Sequence, residues 1–285
     1  MSSRISGLSV IAPNYKGVLC DVWGVLHNGV GYFESAAEAL RAFRKESGPV
    51  ILVTNAPRPN APIKTQLERL GIPADSYDDV VTSGDVTRTA ILETGKTKLL
   101  HLGPERDLPL FDGLDVTLVG EEEAEIVCCT GLLNETRETP DDYDDMLQSF
   151  ARRNLPFICA NPDRIVQKGA QIFYCAGALA DRFEAYGGET TFVGKPEAPI
   201  YAASMAALEK ASGQPVDRSD VLIIGDSLPT DMRGGHYQKI DALFISSGIH
   251  AADFGPSDAP DDAKVNLRLT HEDVETVAWM PRLCW

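Results

Sequence analysis

Short apolar runs rich in branched residues alternate along this chain with stretches of helical period, the arrangement that lays helices over a parallel sheet. Val18 to Trp23 is the first such run. The spacing predicts a helix from Ser35 to Ser47, with Ser35 as its cap and Gly48-Pro49 as its stop, followed by a strand from Val50 to Thr54. A helix near Ala61 to Leu70, a short strand from Asp79 to Thr82 and a helix that Ser83 can cap complete this half.

From about Gly95 to Glu189 the alternation restarts with its own units. Strands are expected at Lys98 to Leu102, Val116 to Val119, Ile126 to Cys129 and Phe157 to Ala160, with a helix from Pro140 to Arg153. Thr191 to Val193, a helix near Glu197 to Ala211, the strand Val221 to Gly225, a helix after Asp231 and the strand Ala242 to Ser246 then resume the first pattern. A last helix is expected at His271 to Trp279. The fold class is α/β, a Rossmann-like doubly wound parallel-sheet core made of residues 1–93 and 190–285, with an inserted α/β module at 94–189.

Composition narrows the setting. A chain of 285 residues exceeds the usual size of one core, and 44% hydrophobic with 24% charged residues is ordinary globular usage. The formal charge of −16 repels nucleic-acid backbones and anionic membranes, and no local basic run overrides it. Six cysteines, Cys20, Cys128, Cys129, Cys159, Cys175 and Cys284, show no Cys-x-x-Cys spacing and sit mostly in apolar runs, as reduced core residues do. Met1 to Ser9 lacks the order of a signal peptide and no apolar run is long enough to span a bilayer, so a cytoplasmic protein is expected.

Two apolar strands end in acids, Leu19-Cys20-Asp21 and Leu222-Ile223-Ile224-Gly225-Asp226, and open α/β sheets bind ligands beyond the carboxyl ends of their strands. Carboxylates converging on one crevice repel each other unless a divalent cation intervenes, and hard oxygen donors suit Mg²⁺. A third strand end, Val53-Thr54-Asn55-Ala56-Pro57, offers a hydroxyl, an amide and backbone N–H groups for an anion. Lys195, in Val193-Gly194-Lys195-Pro196, brings a compact positive charge to a fourth. Asp231 follows Asp226 by five residues and can orient metal waters or Lys195, or serve as a first-turn acid of the next helix.

The order Asp-x-x-Gly-Val, Val-Thr-Asn, Gly-Lys-Pro, Gly-Asp-x-x-x-x-Asp resembles the haloacid dehalogenase superfamily of phosphatases. It looks most like the subgroup with an α/β cap between the second and third motifs, which includes nitrophenylphosphatase, pyridoxal-phosphatase and nucleotide- or sugar-phosphatase types. Thr82-Ser83-Gly84, Asn161-Pro162-Asp163 and Gly177-Ala178-Leu179 resemble its secondary motifs. The resemblance implies that Asp21 is the nucleophile of an aspartyl-phosphate mechanism. Mg²⁺ would lie between Asp21, the Trp23 backbone carbonyl and Asp226, with Asp231 supporting, while Thr54, Asn55 and Lys195 grip the phosphoryl group. The inserted module would be a lid whose segments 161–164 and 171–177 meet the leaving group of a small phosphorylated metabolite. Cap-to-cap dimers are familiar among similar proteins, so the resemblance admits a homodimer.

Trp23 breaks the pattern. The phosphatases carry an aspartate there that protonates the leaving oxygen, and an indole has no such titration. The forfeited acid–base contribution is about 10²–10⁴-fold in rate. His27, six residues past Asp21, is either a proton source from the following loop or a turn histidine. Two other activities follow from the same position. Superfamily dehalogenases have an aromatic residue here but lack the acidic pair matching Asp226 and Asp231, which disfavours them. A phosphometabolite-binding or regulatory protein with weakened catalysis is the alternative to a working phosphatase.

Overall fold

The computed structural model describes residues 2–168 and 171–285 and divides into two compact units. The first comprises Met1–Thr54, Lys64–Val81 and Lys195–Trp285, and the second Asn55–Ile63 and Thr82–Gly194.

Among the described residues the first unit is built on a seven-stranded sheet in the order Ser3–Arg4, Ala278–Met280, Asp241–Ile245, Val221–Gly225, Gly17–Asp21, Val50–Thr54, Asp79–Thr82. Strands Gly17–Asp21, Val50–Thr54 and Val221–Gly225 are buried along their whole length, as their unbroken apolar sequences require of central strands covered on both faces. Chain order runs away from Gly17–Asp21 in both directions, so the switch point of the sheet falls at the strand that ends in Asp21. Parallel register pairs Asp21 with Val53 and Cys20 with Ile224. Thr54 and Asp226 therefore each stand one residue beyond the level of Asp21.

In the second unit a parallel sheet runs Thr190–Phe192, Phe157–Cys159, Ile126–Cys129, Lys98–Leu102, Thr117–Leu118. One side of it packs Phe150, Phe157, Leu179 and Phe183 together, with the rings of Phe157 and Phe183 stacked at 4.6 Å. On the other, Ile91 of helix Ser83–Glu93 packs with Leu99, Leu110, Ile126 and Ile158. Burial of Ile91 in that cluster draws the helix into the second unit, whose main segment runs from Thr82 to Gly194, where the sequence suggested 94–189.

Several local expectations need correction. The segment from His271 to Trp279 is not a helix beyond its first residue. The last helix is Asp262–His271, capped by Asp261, which accepts hydrogen bonds from the amides of Ala263 and Lys264. Trp279 instead lies fully buried in the strand Ala278–Met280, which is flanked on both sides by parallel strands, those of Phe244 and Arg4, and so buries an indole better than a surface helix can. Ser35 does not cap its helix, which begins at Glu34; its hydroxyl donates to the Leu283 carbonyl. Thr82 rather than Ser83 caps Ser83–Glu93, accepting from the Asp85 amide at 2.9 Å. A hairpin of Ile165–Lys168 with Gln171–Tyr174 was not foreseen, since its exposed residues mix polar and apolar types without a clear period.

All six cysteines are free thiols: Cys284 is half-buried, and the other five are buried. No helix among the described residues is long and apolar enough to cross a membrane. Removing the ring at the centre of the second unit tests its packing: Phe183→Ala should lower stability by about 3–5 kcal/mol, read as a reduced urea midpoint.

Candidate active site

Asp21 ends its buried strand, and the chain leaves through Val22-Trp23-Gly24 with Gly24 at φ +91°. A Cβ at Gly24 would collide with the carboxylate of Asp226. Gly248, in the loop after strand Asp241–Ile245, approaches that carboxylate equally closely, and the next residue, Ile249, donates its amide to Asp226 Oδ2 at 2.7 Å. Asp226 is thus held between two backbone turns that only glycine allows.

Asp231 lies in a single π-helical turn, Leu228–Met232, a geometry often found at functional sites. The turn places its Oδ2 to accept the Ser227 amide at 3.2 Å and its Oδ1 to accept from Lys195. Lys195 Nζ donates to Asp231 Oδ1 at 2.6 Å and to Asp21 Oδ1 at 2.5 Å. Asp21, Asp226 and Asp231 each offer a carboxylate oxygen within 4.8 Å of the others, and all three, with Lys195, are at least nine-tenths buried.

Three carboxylates against one ammonium leave an excess of negative charge in a place water hardly reaches. Burial pushes the Asp21 carboxyl well above the ordinary aspartate range, with Lys195 pulling it back and Asp231 and Asp226 pushing it further up. Burial also works against the Lys195 ammonium, yet Asp21 and Asp231 beside it hold it above the usual lysine value, so it stays charged. A set of hard oxygen donors with surplus negative charge is what a small divalent cation requires, so the donor chemistry fits Mg²⁺.

Trp23 is half-buried, and its ring meets that of His27 edge-on at 5.0 Å. His27 is 1% exposed and its Nδ1 accepts the Gly29 amide at 3.0 Å. Burial lowers its pKa to about 4, so at neutral pH it is an uncharged imidazole and a poor proton donor. Its role as a turn histidine is the one these contacts express.

Thr54 closes its strand as a buried residue of the first unit. Asn55 opens the second, and its side-chain amide donates to Asp163 Oδ1 at 2.9 Å. Gly194 faces the other end of that amide: a Cβ there would lie 2.5 Å from Asn55 Oδ1 and 2.8 Å from both Pro162 Cδ and Ser83 Oγ.

The structure therefore gathers Asp21, Lys195, Asp226 and Asp231 into one cluster and sets Thr54 at the adjoining strand end. Two contributors were missed from sequence. Gly248-Ile249 follows an apolar strand, as the motif loops do, and that position was its only signal. Tyr201 belongs to the buried face of helix Ala198–Ser212 with Ile200, Ser204 and Leu208. Its hydroxyl has no hydrogen-bond partner among the described residues, and burial, then the charge of Asp231, drives its pKa upward.

Because the unfolded His27 takes up a proton near pH 6.5 and the folded one only near 4, folding stability is lost as pH falls through that window. The loss between pH 7 and pH 5 should be about 2 kcal/mol smaller in His27→Gln than in the wild type, measured by urea unfolding at both values.

Residues 18–117 match the family described as haloacid dehalogenase-like hydrolase, and residues 192–268 match a second, HAD-hydrolase-like family. A haloacid dehalogenase-like hydrolase from Brucella suis 1330 has a crystal structure that is 44% identical, superposes with a TM-score of 0.88 and covers 99% of this chain and 100% of its own. The ribonucleotide monophosphatase NagD of Escherichia coli K12 is 26% identical over 243 residues, 84% of this chain and 90% of its own length. An acid sugar phosphatase of Staphylococcus saprophyticus is likewise 26% identical, over 241 residues, covering 83% of this chain and 88% of its own. With the motif order, the switch-point cluster and a full-length relative all in agreement, this chain belongs to the haloacid dehalogenase-like hydrolase family.

Proposed function

We propose that the protein is a Mg²⁺-dependent phosphatase of a small phosphorylated metabolite. The observation that supports this most is the switch-point cluster, in which Lys195 bridges Asp21 and Asp231 while Asp226 brings a third carboxylate within reach. Relatives named for ribonucleotide and sugar phosphates favour a monoester substrate.

In this reading Asp21, Asp226, the Trp23 backbone carbonyl and, as support, Asp231 hold the cation. When bound, the cation neutralises phosphoryl oxygens and the surplus charge of the acids. Asp21 attacks phosphorus, the bond to the leaving oxygen breaks, and an aspartyl-phosphate forms. Lys195, Thr54 and Asn55 hold the phosphoryl oxygens, Lys195 by charge and the other two by hydrogen bonds. Water then cleaves the acyl-phosphate, returning Asp21 and releasing inorganic phosphate.

Trp23 and neutral His27 leave the departing alkoxide without a protein acid, so its proton comes from water or the substrate itself. Substrates whose leaving group departs as a stable anion, such as aryl or acyl phosphates, are favoured accordingly. The same indole supports a second reading, in which the site binds phosphometabolites with Mg²⁺ and turns them over poorly. Mg²⁺-dependent binding in calorimetry without turnover across a broad substrate panel would select it.

Purified protein with Mg²⁺ should release phosphate from 4-nitrophenyl phosphate, and Asp21→Asn or chelation by EDTA should reduce the rate to background. Turnover that survives both changes would overturn the assignment. Trp23→Asp should raise kcat for alkyl phosphates by up to about 10²-fold while leaving aryl phosphates less affected. An equal change for both classes would remove the missing acid as the cause.

A further inference from the structure

We propose that His250 is a positioning residue that holds the turns carrying Asp226 and Asp231 in the arrangement a divalent cation needs, an inference that rests on the Mg²⁺-dependent phosphatase reading of the site. Every residue involved lies in the segment Lys195–Trp285 of the first unit. His250 Nε2 accepts the amide of Leu228, the residue that opens the π turn Leu228–Met232, at 3.3 Å. Within that turn Asp231 accepts the Ser227 amide on one carboxylate oxygen and Lys195 on the other. Immediately before His250, the Ile249 amide donates to Asp226 Oδ2 at 2.7 Å, and a Cβ at Gly248 would lie 1.8 Å from the same oxygen. Three consecutive residues thus meet Asp226 through their backbone and the Asp231 turn through a side chain. The imidazole couples the two contacts.

The ring is itself held. A neutral imidazole accepting at Nε2 carries its proton on Nδ1, and Nδ1 faces Asp253 Oδ2 at 3.8 Å. Burial, then the charge of Arg268, lowers the pKa of His250 below the ordinary histidine value, in line with an uncharged ring. Arg268 pairs with Asp253 at 3.5 Å and with Glu272 at 3.1 Å, and Glu272 takes Arg233, two residues beyond Asp231, at 3.3 Å. A circuit of side chains therefore leaves the start of the π turn at His250 and returns just past its end at Arg233.

The Leu228 amide opens its turn and has no carbonyl within it to pair with, so it depends on an acceptor from outside. Leu228 is fully buried, and without the imidazole its N–H would be left unsatisfied or the turn would shift to satisfy it. A shift there moves the acid three residues on. Mg²⁺ tolerates little error in donor placement, and losing an outer hydrogen bond that orients its ligands typically costs about 10–100-fold in affinity.

Calorimetric titration of the full-length protein with MgCl₂ tests this with no substrate present. His250→Phe keeps a ring and removes the acceptor, and it should weaken Mg²⁺ binding by about tenfold or more. His250→Gln can place its amide oxygen near the position of Nε2 and should bind Mg²⁺ nearly as tightly as the wild type. His250→Asn, whose amide ends short of that position, should be as weak as the Phe variant; it carries the comparison if urea unfolding of the metal-free proteins shows that the larger ring disturbs the fold. Wild-type Mg²⁺ affinity in a folded Phe or Asn variant, with or without a lowered urea midpoint, would make His250 a merely structural residue and overturn the inference. A Gln variant as weak as the other two would overturn it as well, and both results leave the phosphatase reading intact. A wild-type protein that binds no Mg²⁺ would instead remove the reading and the inference together.

Discussion

Everything at this site depends on one buried cation bridging two acids. Lys195 reaches Asp21 and Asp231 from a segment that belongs to neither of their strands, while parallel pairing of Gly17–Asp21 with Val221–Gly225 brings the chain ends that carry the two acids to one level. Burial makes the arrangement strict. An ammonium or a carboxylate stripped of water and left unpaired costs several kcal/mol, so the fold has few alternative ways to close around these residues. The remaining negative charge is the reason the cluster suits a divalent metal and, through it, a phosphate.

The acids are aimed largely by what their neighbours lack. Gly24 and Gly248 leave the room that Asp226 fills, and a Cβ at Gly225 would collide with the Asp231 carboxyl group. These positions act by subtraction: the backbone comes within a carboxylate's reach because no side chain stands between. The π turn at Leu228–Met232 carries Asp231 with its Oδ1 on Lys195.

Much of this was legible before any coordinates. The unbroken apolar runs ending in Asp21, Thr54 and Asp226 mark central parallel strands, and the switch-point rule then places their ends together. What stayed hidden has a common cause. Trp279 escapes a strand reading because a single buried indole on a three-residue strand gives no periodic signal, and the caps at Thr82 and Asp261 sit beside equally good candidates. The membership of helix Ser83–Glu93 depends on where Ile91 packs, which is a tertiary fact. Likewise the Asn55–Asp163 bond joins residues 108 positions apart, a pairing no local pattern can announce.

The thiols add a practical property. Cys128 and Cys129 lie on one buried strand, and desolvation suppresses their thiolates, as it does at Cys20, Cys159 and Cys175. Cys284 differs in exposure: it is half-buried, and its Sγ donates to the Ser6 carbonyl. Native protein should accordingly accept a maleimide dye at a single address, giving a spectroscopic reporter without any engineered cysteine.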